Sequence, residues 1–145
     1  MNAVGGAVIE GQRPMAAAAG QATVKINGRD VLVEWTRAAG TALAQRDRPL
    51  LVEVELYFSC LVKKFVHFHE SAGPNAARGH ELAVVSPQLS VFFRPVMSTA
   101  CSMDEAERLG RQPETDIDTG AVRKLAPRRI HIDRSRKGWS GQAWF

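Results

Sequence analysis

Cysteine is nearly missing from this chain of 145 residues, with Cys60 and Cys101 the only two. A chain of this length with an adequate apolar core needs no covalent staple, so both are expected as buried, reduced thiols in a cytoplasmic protein. Long hydrophobic runs are lacking too. The richest stretch, Leu50 to Phe68, is interrupted by Glu53, Glu55, Lys63 and Lys64, and a membrane-spanning helix needs ~18 or more consecutive apolar residues. No membrane partner is therefore expected. The N-terminus has small residues but neither a basic start nor a leucine-rich segment, which argues against a signal peptide. Phosphate-loop signatures are missing: Gly73 to His80, GPNAARGH, has neither Gly-Lys-Ser/Thr nor the G-x-G-x-x-G spacing. Arg78 in that loop is a candidate anion contact. No cofactor motif is present, so no cofactor is expected.

What is present is a core. Hydrophobic residues make up 45% of the chain and charged ones 23%, the composition of a single folded domain. Residues 1–21 are rich in Gly and Ala without periodicity and are read as a disordered tail; the domain is expected over 22–145. Asn27-Gly28 between two alternating segments predicts a tight type I′ hairpin. Thr36 caps a predicted short helix that Pro49 forbids from continuing. Alternation and β-branched content make Leu50 to Phe68 extended, with a break or bulge near Cys60 to Lys63. Pro87 and Pro95 interrupt the next strand material, hinting at an edge position. Ser102 to Glu105 matches a capping box, predicting a second helix over Met103 to Leu109. Arg136-Lys137-Gly138 turns a C-terminal hairpin. The element order ββαββαββ gives an α+β fold with a mainly antiparallel sheet and two short helices.

Charge is unevenly spread. From Met103 to Asp118 six acids face two arginines, whereas from Ala121 onward seven basic residues face only Asp133. The C-terminal hairpin carries Arg128, Arg129, Arg134, Arg136 and Lys137 beside Trp139 and Trp144. Such a mixture follows a phosphate backbone while aromatic faces stack on bases. The leading expectation is thus a small non-catalytic binding or accessory protein that recognises an anionic partner, a nucleic acid or an acidic protein, through this hairpin. The plainer reading of the same residues is a solvated strand face with tryptophans anchoring the hairpin.

His67 and His69, two apart on a strand, project from one face and can share a metal with a third group such as His80 or Glu81. The H-x-H resembles that of metal-binding double-stranded β-barrels, but the acid those proteins carry a few residues later is missing from ESAGPNAARG. Cys101, just ahead of a predicted helix N-terminus, is the better placed thiol for reactivity. A metal- or thiol-dependent enzyme using His67, His69 and Cys101 is therefore the first alternative, and a structural subunit of a homo-oligomer the second. Asp118-Thr119-Gly120-Ala121 is the tetrapeptide of retroviral-type aspartic proteases. The resemblance stops at four residues, and the segment is read as a turn.

Overall fold

The computed structural model describes residues 14–70, 76–98, 114–116 and 124–145. Asn27 and Gly28 both take positive φ, 53° and 76°, as a type I′ turn requires. β1 (Gly20–Ile26) accordingly folds back on β2 (Arg29–Trp35). Thr36 caps α1 (Arg37–Ala44), its hydroxyl accepting from the Ala39 N–H at 3.2 Å and donating to Asp133 Oδ1 at 2.6 Å. Gly40 costs the helix propensity, and its surroundings explain why it is there. A Cβ at this position would lie 1.9 Å from the Ala18 carbonyl oxygen and 3.1 Å from Trp35 Cδ1, so only glycine lets the 14–19 segment and β2 approach this closely.

The central run is a hairpin: β3 (Leu50–Phe58) and β4 (Val62–His69) flank a turn at the expected break. β5 (Ala83–Ser86), β6 (Leu89–Ser98) and the short β7 (Glu114–Asp116) follow. β8 (Arg129–Ser135) and β9 (Gly138–Trp144) form the C-terminal hairpin. β6 is an interior strand rather than the edge that Pro95 hinted at, but Pro95 lies where β6 has no described neighbour on one side, since β5 pairs no further than Val91 and β7 ends opposite Val96. That is where a strand tolerates proline.

Two sheets result, ordered β1-β2-β8-β9 (sheet A) and β4-β3-β6-β5 with β7 also on β6 (sheet B). The protein is mostly β, and the expectation of a mainly antiparallel sheet with two helices needs correcting. β2 runs parallel to β8 and β3 parallel to β6, so both sheets are mixed, and α1 is the one helix among the described residues. All of sheet B is inserted between β2 and β8. A parallel pair needs such a long crossover and leaves no local turn signal to betray it. The helix expected over Met103 to Leu109 lies outside the described residues.

Alternation puts Val31, Val33, Ile130 and Ile132 of sheet A against Val52, Val54, Val91 and Phe93 of sheet B, joined by Leu43 of α1, in one core. The sheet edges meet as well. Lys64 Nζ of β4 donates to the Ala143 carbonyl of β9 at 2.9 Å. Gly141 of β9 backs onto Val66 and Phe68 so closely that a Cβ would meet them at 3.0 and 3.1 Å. β1 and β5 adjoin at the opposite side. Two sheets closed in this way leave few strand edges open.

Candidate functional site

The other face of sheet B holds the unusual chemistry. In β3 the residues between the core valines are Glu53 and Glu55, and both are buried, Glu55 to 1% exposure. Removing a carboxylate from water costs several kcal/mol unless partners compensate, so the partners matter. β4 lies antiparallel to β3 with His67 opposite Glu53 and His69 opposite Leu51. Strand twist makes the contacts diagonal: His67 Nε2 donates to Glu55 Oε1 at 2.7 Å and His69 Nε2 to Glu53 Oε1 at 2.9 Å. From β6, buried Arg94 approaches the second oxygen of Glu53 at 3.4 Å. Phe92, two residues earlier on the same face, carries His80 stacked on its ring at 6.2 Å.

Glu53, Glu55 and His67 each offer one ligand atom, and these atoms all lie within 4.8 Å of one another. They border an open cleft of about 700 Å³ that His69, Arg78, Arg94, Lys137 and Trp139 also line. Of the three expected metal ligands, His67 belongs to this group and His69 lines the same cleft beside it. His80 is not in the converging group, and Glu81 is engaged elsewhere, accepting from the Asn27 N–H at 2.9 Å. Glu53, Glu55 and Arg94 are the members that sequence reasoning missed. A signal for the two acids existed: Glu53-x-Glu55 and the histidine pair lie on either side of the expected break near Cys60, and folding there sets one against the other.

The thiol expectations change. Cys60 is exposed and disulfide-bonded rather than a buried reduced thiol, and there is no free cysteine among the described residues. Cys101 and Asp118 to Ala121 lie outside the described residues.

The basic hairpin turns much of its chemistry inward. Arg129 sits directly across from Trp144 and Arg134 across from Trp139, with each guanidinium over the facing indole at 4.4 and 5.1 Å. Trp139 also stacks on Phe68 and donates Nε1–H to Glu70 at 3.2 Å. Arg129 is ion-paired to Glu34, which also accepts from His131 Nδ1 at 3.2 Å. The Arg129 guanidinium, seconded by His131, holds the Glu34 carboxyl below the usual range. The Thr36 hydroxyl, and after it the Arg134 N–H, does the same for Asp133. Arg136 and Lys137 occupy the turn between β8 and β9. Arg128, Arg136 and Lys137 are exposed, and their side chains have no hydrogen-bond or ion-pair partner among the described residues.

No family model matches the chain, and no curated protein or solved structure is significantly similar to it. The described residues include no helix long and apolar enough to cross a membrane.

Proposed function

We propose that the protein binds a divalent transition-metal ion through Glu53, Glu55 and His67, with His69 and Arg94 orienting the Glu53 carboxylate from outside. The observation that carries this reading is the convergence of two buried carboxylates and an imidazole on one face, beside a cleft wide enough for a ligand. Imidazole with carboxylates suits zinc, iron, nickel or manganese better than calcium or magnesium, which take oxygen ligands.

The distances fit an ion after a small adjustment. Ligand atoms ~2.1 Å from a tetrahedral zinc stand ~3.4 Å apart, so the 2.7 Å between His67 Nε2 and Glu55 Oε1 has to open by under about 1 Å, and a pair at the 4.8 Å limit of the group has to close by about 1.4 Å, both within reach of side-chain rotation. Loading an ion would exchange that hydrogen bond for two coordination bonds, the Nε2 proton moving to Nδ1 of a neutral ring or leaving a doubly protonated one for solvent. Three protein ligands leave a position open to the cleft, where a divalent ion lowers the pKa of a bound water toward neutrality. His69 and Arg94 fix the two oxygens of Glu53 from either side, as partners of metal ligands commonly do.

This reading develops the metal-dependent alternative from the sequence and replaces Cys101 with the two glutamates. It is preferred to partner recognition by the hairpin because each indole already has one face covered by a guanidinium, Trp144 by Arg129 and Trp139 by Arg134. Metal analysis after purification and dialysis against micromolar zinc tests it. Near-stoichiometric zinc is expected in the wild type, with at least a tenfold loss of affinity in Glu55→Gln and His67→Ala. A wild type that retains no metal, or variants that retain as much, contradicts it.

A further inference from the structure

Three acids, Glu53, Glu55 and Glu70, line the cleft beside the cluster, and three bases, Arg78, Arg94 and Lys137. Two of the acids are buried at its floor, and Arg94 is buried with them. Arg78 and Lys137 are different. Both are exposed, and neither side chain has a hydrogen-bond or ion-pair partner among the described residues. They arrive from separate turns. Arg78 has φ 55° and is followed by Gly79 at φ 81°, while Lys137 stands in the turn between β8 and β9, whose Gly138 takes φ 123°. Two turns with left-handed geometry therefore carry cations that have no partner among the described residues to the rim of the cleft whose floor holds the buried carboxylates and the half-buried histidines.

With neutral imidazoles the formal charges lining the cleft cancel. A divalent ion on Glu53, Glu55 and His67 tips that balance to positive, inside a concave site where field lines concentrate. We infer that the cleft takes a small oxyanion, the terminal phosphate or carboxylate of a ligand, one oxygen meeting the ion and the others meeting Arg78 and Lys137. This inference rests on the metal reading for its strength and on the two rim cations for its place. Arginine offers a planar fork to such a group and lysine a mobile point charge. Binding of ion and anion is then coupled, each raising the affinity of the other by the same factor.

Calorimetric titration of inorganic phosphate, and separately of acetate, into zinc-loaded and metal-free protein tests the inference, using wild type and the double variant Arg78→Gln with Lys137→Gln. Both substitutions are at exposed turn positions, and zinc affinity of the double variant is measured alongside to show the floor intact. The expected result is oxyanion binding to the zinc-loaded wild type that weakens at least tenfold on removing zinc and at least tenfold in the zinc-loaded double variant. Tighter phosphate than acetate assigns the ligand to phosphate esters, and the reverse order assigns it to carboxylates. A zinc-loaded wild type that binds neither anion, or a double variant that binds as tightly as wild type, overturns the inference and leaves the metal reading standing. A protein that takes up no zinc overturns the metal reading instead. In that case phosphate or acetate binding that the double variant loses upholds the rim, and its absence overturns that too.

Discussion

The outer faces of the two sheets carry the same three chemical groups in opposite surroundings. On sheet A, Glu34 accepts from Arg129 and His131 with the guanidinium about half exposed. On sheet B, Glu53 accepts from His69 and Arg94 with the guanidinium only 6% exposed. The first is an ordinary surface arrangement, screened by salt and of small consequence for stability. The second places charge where desolvation opposes folding, and apolar residues of similar volume would commonly serve stability as well or better. A buried ionic layer on one sheet and a solvated one on the other therefore points to sheet B as the face that does something besides hold the fold together. The inner faces reinforce the contrast, because both sheets there contribute aliphatic and aromatic residues to one shared core.

The contrast breaks most visibly at Arg94. Arg94→Ala leaves a buried carboxylate without its guanidinium and should destabilise the protein by about 3–5 kcal/mol in urea denaturation; a loss below about 1 kcal/mol would mean that the layer is solvated like its counterpart on sheet A. Ile132→Ala on the inner face of sheet A should cost about 2–5 kcal/mol, yet the folded variant should bind zinc within twofold of wild type. A change in zinc affinity matching that of His67→Ala would erase the distinction between the two faces. Cys60→Ser should remove about 2–4 kcal/mol, and wild type treated with a thiol reductant should unfold at the same lowered midpoint; an unchanged midpoint means the bond contributes nothing.

The smallest effect belongs to Glu34. Its carboxyl, like that of Asp133, titrates below the usual range in the folded protein. Stability from such groups is fully present above the ordinary carboxylate pKa near ~4 and is lost as pH falls through the depressed folded value. Glu34→Gln should therefore lower the thermal midpoint slightly at pH 7, with the difference shrinking toward pH 3 and in 1 M salt. A difference that grows on acidification reverses the assigned sign.

Much of the local structure was legible because its causes are local. Asn27-Gly28 dictates a turn, Thr36 a cap, and the alternation of Leu50 to Phe58 a strand. The parallel pairings of β2 with β8 and β3 with β6 were not, since nothing in a strand's own residues names a partner far along the chain. Glu53 and Glu55 were read only as interruptions of an apolar run. Their burial depends on β6 placing Phe92 and Arg94 beside them, a long-range outcome. The hairpin shows the converse: arginines and tryptophans were correctly seen as neighbours, but only the register, Arg129 to Trp144 and Arg134 to Trp139, reveals that they face each other.

Thermal unfolding with and without zinc, on wild type and Glu55→Gln, addresses the buried layer most directly. Anything that binds only the folded state raises its stability, by about 2.7 kcal/mol at a hundredfold excess over Kd. The midpoint of the wild type should rise with zinc concentration while that of Glu55→Gln stays fixed. A wild-type midpoint indifferent to zinc, or a variant that rises equally, would show that the two glutamates and the histidine hold no ion.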